Sequence, residues 1–114
     1  MVLSTERDQL HPVAVLNDAF RTTFLGGTVC VTAAVNMGGA DFVRKALQAV
    51  RTFKDFDGDN DPYGEHDFDA LIVDEQRIYW KIEYFDTSML HHAPDPADDN
   101  TTRRVLTVMF PEEY

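Results

Sequence analysis

The segment FDALIVDEQRIYWKIEYF, residues 68–85, decides the fold because it predicts a β-hairpin. Two runs rich in β-branched and aromatic residues, Phe68–Val73 and Arg77–Phe85, flank the short polar connection Asp74-Glu75-Gln76. Alternate residues of the second run share one face of a strand, and on one face these are Ile78, Trp80, Ile82 and Tyr84. We therefore expect two antiparallel strands with that face turned toward a core.

Before the hairpin, the sequence predicts two helices with a strand between them. Apolar residues spaced by three and four form the stripe of the first helix, which Gly26-Gly27 ends: Val13, Leu16, Phe20 and Phe24. Asp18 and Arg21 lie off this stripe. The run TVCVTAAV, Thr28–Val35, predicts a buried strand, so Cys30 is expected in the core. Asp41 is the expected N-cap of the second helix, whose apolar residues are Phe42, Ala46, Leu47, Val50 and Phe53.

The last predicted strand is RVLTVMF, Arg104–Phe110, which gives the order helix, strand, helix, strand, strand, strand. This order predicts a single α+β domain over residues 1–114, with an antiparallel sheet of about four strands and both helices on one face. A chain of 114 residues that is 44% hydrophobic can bury a core of its own.

Cysteine content and apolar patterning predict a cytoplasmic protein. The single cysteine cannot form an internal disulfide, which disfavours a secreted, cross-linked scaffold. The first residues, MVLSTERDQLHP, show neither the basic region nor the apolar run of a signal peptide. No apolar segment approaches the ~20 residues that a membrane-spanning helix needs.

The excess negative charge is confined to two segments. The net charge is −10, from 20 acidic and 10 basic residues. Asp55–Asp69 contributes −7 and Asp95–Asp99 contributes −3, so the rest of the chain is neutral. These segments would repel phosphates and anionic lipids, which argues against direct binding to nucleic acid or to a membrane.

The acidic segment does not match the common metal-binding patterns. An EF-hand loop requires glycine at position six and glutamate at position twelve, and counting from Asp55 or from Asp57 places neither there. Glu65, His66 and Asp67 are adjacent, and adjacent residues of an extended strand point to opposite faces. We therefore expect no metal, no cofactor and no catalytic residue.

The spacing of the aspartates favours binding to a basic surface. Asp55, Asp57, Asp59 and Asp61 alternate, and in an extended segment carboxylates on the same side would recur every ~6.7 Å. This spacing is comparable to that of nucleic-acid phosphates. The following residues Pro62 to Gly64 indicate a shaped turn, and we expect His66 to bond to a neighbouring carboxylate and hold the loop against the sheet.

Five segments form a recognisable set: LNDAFR, VRTFKDF, NDPYGEHDF, IYWKIEYFD and TRRVLTVMF. Together they resemble a small bacterial family of uncharacterised single-domain proteins classed as a domain of unknown function, and the resemblance covers Val13–Tyr114. Its specific part is NDPYGEHDF, Asn60–Phe68. The resemblance implies occurrence on plasmids and other mobile elements, and it implies a signature that includes Asn60, Asp61, Tyr63, Glu65, His66 and Asp67.

We predict a non-enzymatic acidic binding protein, an inhibitor that mimics nucleic acid in the basic groove of a host-defence or other nucleic-acid-handling protein. The expected partner-binding residues are Asp55, Asp57, Asp59, Asn60, Asp61, Tyr63, Glu65, His66, Asp67, Asp95, Asp98 and Asp99. One alternative is a small metal-dependent hydrolase that uses Glu65, His66 and Asp67. Another is a homodimer in which the aromatic residues of Ile78–Phe85 cover a second subunit.

Overall fold

A computed structural model describes residues 10–114 of the chain. Most of the segment MVLSTERDQLHP, in which the sequence shows no signal-peptide pattern, lies outside the described residues. The described part contains three helices and four strands, which are α1 Pro12–Thr23, β1 Gly27–Val31, α2 Ala33–Asn36, α3 Ala40–Thr52, β2 Phe68–Val73, β3 Gln76–Phe85 and β4 Arg103–Met109, followed by a 3-10 turn at Pro111–Glu113. No helix within residues 10–114 combines the length and the apolar character needed to cross a membrane.

Helix α1 forms as predicted, but its buried face is different. Pro12 occupies the first turn, where its missing N–H is no loss, and Phe24 ends the helix in a left-handed conformation with φ 61°. Asn17 and Arg21 are buried, at 0% and 2% exposure. The expectation that Arg21 lies off the buried stripe is therefore wrong, because backbone carbonyls within the fold accept its guanidinium hydrogen bonds.

Strand β1 is shorter than the sequence predicted. It ends at Val31, and Thr32 then caps the short helix α2 by accepting a 3.3 Å hydrogen bond from the Val35 N–H. Cys30 is exposed rather than buried in the core. It lies on an edge strand, where the core receives only the alternate residues Val29 and Val31.

Helix α3 carries the predicted apolar face, with Phe42, Ala46 and Val50 buried. The residue before the helix is Gly39, with φ 98°, so Asp41 is not the N-cap. Asp41 instead lies in the first turn, where a carboxylate favourably meets the helix dipole.

The β2–β3 hairpin is confirmed. The strands are antiparallel, and Val73 pairs with Gln76 across a two-residue turn. Asp74 and Glu75 form that turn with φ values of 50° and 65°, the left-handed conformations of a type I′ hairpin.

The sheet has the order β1-β4-β3-β2, and its first pair is parallel. The α+β class and the four strands are confirmed, whereas the purely antiparallel sheet is wrong. Short connections force neighbouring strands to be antiparallel, but β1 pairs with a strand more than 70 positions away and its direction is not set by a turn.

The core lies between the helices and one face of the sheet. The predicted inward face of β3 is buried, including Trp80 at 0% exposure, and it packs with Leu106 and Val108 of β4. Trp80 and Tyr84 are therefore core residues, leaving Tyr79 and Phe85 half-buried on the opposite face.

Two loops leave the same end of the sheet. The acidic loop, residues 53–67, leads into the start of β2, which pairs with β3 through Phe68 and Lys81. The β3–β4 loop, residues 86–102, begins where β3 ends and returns to the start of β4, where Phe85 pairs with Arg103. Antiparallel pairing of β2, β3 and β4 therefore places both acid-rich segments at one end.

Candidate functional site

The acidic loop folds into a tight turn at Asp57–Asn60. The Asp57 carboxylate accepts hydrogen bonds from the N–H groups of Asp59 and Asn60, at 2.8 and 3.0 Å. The Asn60 side chain accepts from the Asp57 N–H at 2.8 Å and donates to the Asp55 carbonyl at 2.6 Å. The sequence suggested an extended segment with carboxylates on one side every ~6.7 Å. That segment does not occur, because these hydrogen bonds close the chain into a turn.

Asp61 is a buried residue of this loop, at 9% exposure. One of its oxygens accepts a hydrogen bond from the His66 N–H at 3.2 Å, and the other lies 3.5 Å from the His66 Nε2. Asp61 therefore closes the second half of the loop, and Asp55, Asp57 and Asp59 are the carboxylates that the loop exposes.

His66 joins the acidic loop to helix α1. Its Nδ1 lies 2.9 and 3.0 Å from the two oxygens of Asp18, and its ring stacks on Phe56 at a centroid distance of 3.9 Å. The backbone of His66 has φ 55°, a conformation that only a well-determined surrounding maintains in a residue other than glycine. His66 bonds to a neighbouring carboxylate, as the sequence predicted, but its bond to Asp18 holds the loop against helix α1 rather than against the sheet.

Arg21 stabilises the contact between the acidic loop and helix α1. It donates to the carbonyls of Val50 and Phe53 at 2.8 Å each, and it donates to Asp18 at 3.1 Å. Burial lowers the pKa of Arg21, and the neighbouring Asp18 opposes that shift. Its guanidinium lies 5.3 Å from the ring centres of Phe56 and Trp80, so Arg21 connects the start of the loop to the core.

A second buried network runs from Glu65 into the core. The Tyr84 hydroxyl donates to the Glu65 carboxylate at 2.9 Å and accepts from the Asn17 amide at 2.8 Å. The same Asn17 amide group donates to the Glu65 carbonyl at 2.9 Å. Burial raises the pKa of Tyr84 far above its usual range, so the hydroxyl keeps its proton and remains a donor.

Arg104 extends the network to the β3–β4 loop. Its Nε donates to the Asn17 side-chain oxygen at 2.9 Å, and its Nη1 donates to Asp99 at 2.7 Å. Its Nη2 donates to the Pro96 carbonyl. The continuous chain of hydrogen bonds Glu65–Tyr84–Asn17–Arg104–Asp99 therefore ties the two acid-rich loops together.

The β3–β4 loop is ordered by its own aspartates. Asp95 accepts from the Ala97 N–H and Asp98 accepts from the Asn100 N–H, both at 3.0 Å. Asp95 and Asp99 are exposed, whereas Asp98 is half-buried. Of the three acids predicted here, two are therefore exposed, and one of these, Asp99, also pairs with Arg104.

Asp67 and Asp69 are the two residues of the site whose carboxyl groups are disfavoured in the ionised form. Burial raises the pKa of both, and the nearby charge of Glu65 adds to the rise for Asp67. One Asp69 oxygen accepts from the Ala70 N–H at 2.8 Å, and the other is buried without a hydrogen-bond partner among residues 10–114.

The residues of the hydrolase hypothesis contact different partners. Glu65 bonds to Tyr84, His66 lies against Asp18 and Asp61, and Asp67 is a half-buried residue whose carbonyl accepts from Ile82. Across residues 10–114, no three or more His, Cys, Asp or Glu side chains are grouped so that they could hold a metal ion. A cleft of about 310 Å³ lies beside His66, lined by Leu10, Asp18, Arg21, Lys54, Phe56 and His66.

Tyr63 is the exposed aromatic residue of the acidic loop, at 84% exposure. It lies between Pro62, which fixes φ, and Gly64, which has φ 71°. The sequence predicted a shaped turn at this position, and the Gly64 N–H closes that turn by donating to the Asp61 carbonyl at 3.1 Å.

Sequence reasoning missed Asn17, Asp18, Arg21 and Arg104, which hold the predicted residues in place. Their signal in the sequence is weak, because a polar residue near an apolar stripe is usually solvated. The spacing of Asn17 and Arg21 by four residues, on the same face as Phe20, is the one local indication.

Comparison with known proteins supports the sequence resemblance at the level of the family. The family described as "Protein of unknown function (DUF3768)" matches residues 31–113. No curated protein and no solved structure matches the chain. The matched region contains both acid-rich loops, whereas the α1 residues that bond to them precede it.

Proposed function

We propose that this chain, which belongs to the DUF3768 family of proteins of unknown function, is a non-enzymatic protein that binds a basic surface of a partner. The binding surface is the acidic end, which we define as the exposed carboxylates of the two loops, Asp55, Asp57, Asp59, Asp95 and Asp99. The observation that carries the proposal is that both loops leave the same end of the sheet and are joined by one buried hydrogen-bond network.

The charge of the acidic end is largely uncompensated. Among the ion pairs of residues 10–114, the acidic end contributes only the one between Asp99 and Arg104. Exposed charges of one sign attract a basic partner over about a Debye length, ~8 Å at physiological salt. Such a surface favours rapid and selective association with a positively charged groove.

The two loops are already ordered before a partner arrives. Turns closed by Asp57, Asn60, Asp95 and Asp98 and the buried network beneath them fix the backbone that carries the carboxylates. Preorganised loops lose little conformational entropy on binding. Tyr63 adds an exposed aromatic ring of the kind that commonly anchors protein interfaces.

The partner we propose is a nucleic-acid-handling protein, because such proteins present grooves lined with lysine and arginine. The chain would act as an inhibitor that occupies this groove in place of nucleic acid. The sequence resemblance implies occurrence on mobile elements, and that implication favours a host-defence protein as the target. The mimicry would come from a compact cluster of carboxylates rather than a regular ridge, because Asp57–Asn60 is a turn.

The experiment replaces Asp55, Asp57 and Asp59 together with asparagine, which preserves size and removes charge. Asp61 stays unchanged because it is buried and bonds to His66. The chain competes with labelled duplex DNA for a panel of basic bacterial nucleases over a series of salt concentrations. We expect the unmodified chain to displace DNA from at least one nuclease, and we expect the triple variant to bind it roughly tenfold more weakly with a smaller salt dependence.

The matched control removes the same number of charges at the opposite end of the sheet, through Asp41→Asn, Glu75→Gln and Glu112→Gln. All three side chains are exposed. We expect this control to compete like the unmodified chain. Equal affinity and equal salt slope for the two triple variants would contradict the proposal, because the position of the charges would then be irrelevant.

The alternative proposal is a small metal-dependent hydrolase that uses Glu65, His66 and Asp67. The raised pKa of Asp67 and the cleft beside His66 favour it. Metal analysis of the purified protein separates the two proposals. A stoichiometric divalent ion that His66→Ala abolishes would favour the hydrolase over the binding protein.

A further inference from the structure

Strand β1 is an open edge of the sheet. In residues 10–114 its one neighbouring strand is β4. Its five residues, GTVCV, carry no charge and no proline, and Thr28 and Cys30 are exposed. Proteins usually protect an edge strand with charged side chains, proline or a bulge, because unpaired backbone groups can bond to another strand. Strand β1 has none of these protections.

The outward backbone groups of β1 belong to alternate residues. The N–H of Thr32, directly after the strand, donates to the Val108 carbonyl of β4 at 3.1 Å. In a parallel pair the N–H and C=O groups of one residue point to the same neighbour, so Thr28 and Cys30 also turn their backbone toward β4. The backbone groups of Gly27, Val29 and Val31 therefore point away from the sheet.

The other edge of the sheet is chemically different. Strand β2 carries Asp69 and is followed by the turn residues Asp74 and Glu75, and Arg77 lies near the start of β3. Two copies that met at β2 would bring these charges together. Like charges in directly opposed positions are destabilising. An uncharged β1 avoids that repulsion.

We propose that the chain forms a homodimer in which β1 of two copies pairs antiparallel across a two-fold axis at Val29. Val29 would face Val29 of the second copy, and Gly27 would face Val31 of the second copy. In this register all the outward residues form hydrogen-bonded pairs. The result is one continuous sheet with two four-stranded halves.

The charge distribution of the chain favours a second copy as the partner of β1, and it favours antiparallel pairing. Strand β1 is parallel to β4, so β1 begins at the acidic end of the sheet. Antiparallel pairing turns the second copy around and places the two acidic ends at opposite ends of the combined sheet. Leu25, two residues before the strand, is 75% exposed and supplies apolar surface next to the proposed pairing.

The first test is the mass in solution. We expect twice the chain mass of 13.0 kDa at about 100 µM protein in about 0.15 M salt, with dissociation on dilution. The mass of a single chain at that concentration would overturn the proposal.

The second test distinguishes the two sheet edges. Thr28→Lys combined with Cys30→Lys adds positive charge to the β1 edge at two exposed positions, where we expect the monomer to tolerate it. The matched control, Ala70→Lys with Ile72→Lys, adds the same charge to the β2 edge. Circular dichroism checks that both variants fold. We expect the β1 variant to be monomeric and the control to be dimeric; a folded dimeric β1 variant, or a monomeric control, would contradict the proposal.

The third test reads the register. In the proposed pairing Thr28 faces Cys30 of the second copy in a non-hydrogen-bonded pair, with Cα atoms about 4.5 Å apart. This separation allows a disulfide. We expect Thr28→Cys to give a covalent dimer under mild oxidation, whereas Thr107→Cys, one strand further from the edge, should not. Absence of the covalent dimer, or equal cross-linking in the control, would overturn the register.

Discussion

Replacing Asn17 with alanine should destabilise the fold and loosen both acid-rich loops together. Asn17 is fully buried in α1 and makes three hydrogen bonds with groups outside its own helix. Its amide donates to the Glu65 carbonyl and to the Tyr84 hydroxyl, and its oxygen accepts from the Arg104 Nε. Alanine supplies none of these bonds.

The expected loss follows from the groups that remain without a partner. The Arg104 Nε is buried and charged, and leaving such a donor unpaired costs ~1–3 kcal/mol. The Glu65 carbonyl is partly accessible to water and Tyr84 keeps its bond to the Glu65 carboxylate, so these two groups add roughly 1 kcal/mol. We expect a total loss of about 3 kcal/mol in the free energy of unfolding, a large part of the ~5–15 kcal/mol of an ordinary domain.

Urea denaturation measures the free energy of unfolding, and hydrogen exchange of backbone amides measures loop opening. Exchange should accelerate for His66 in the acidic loop and for Asn100 in the β3–β4 loop, because Asn17 connects both loops. The control is Asn36→Ala, an exposed asparagine whose stability effect should stay within about 0.5 kcal/mol. A loss below about 1 kcal/mol, or faster exchange in one loop only, would refute the role assigned to Asn17.

Two further predictions concern single side chains. Burial raises the pKa of Asp69 above its usual 3.8, so the folded chain holds this proton more tightly and stability falls as the pH rises above that value. Asparagine cannot ionise, so the stability of Asp69→Asn relative to the unmodified chain should be higher at about pH 7 than at about pH 3, as measured by thermal melts at both pH values. A stability difference that stays the same, or that changes in the opposite direction, would contradict the burial of this carboxylate. Glu75 has φ 65° in the hairpin turn, so Glu75→Gly should stabilise the chain by ~1 kcal/mol in urea melts, whereas Gln76→Gly in the adjacent strand should destabilise it.

The features that the sequence predicts well are local. The hairpin is recognisable because strand alternation and a short polar connection lie within 18 consecutive residues, 68–85, and its pairing needs no distant partner. Helices α1 and α3 follow from apolar spacing and from their ends. The Asp57–Asn60 turn was less predictable. Alternating aspartates are compatible with an extended segment, but Asp and Asn side chains can also form the hydrogen bonds that close a turn, as they do here.

The features that the sequence does not predict depend on partners far along the chain. Arg104 lies 87 positions after Asn17, and no local pattern shows that their side chains meet. The direction of β1 likewise depends on a strand with which it shares no turn. Composition showed how much charge the two loops carry, but only the fold shows that Asp61 faces inward and that Asp55 and Asp59 face solvent.

The parallel pairing of β1 with β4 also sets the order in which the protein can assemble. Gly27 and Arg104 are partners across the sheet, 77 positions apart, so bringing them together closes a long loop and costs entropy. During synthesis, β1 therefore has no strand to join until the ribosome has released residues 103–109. Until then its uncharged backbone is available to chaperones or to other nascent chains, and translation speed through the second half of the message should influence the yield of folded protein.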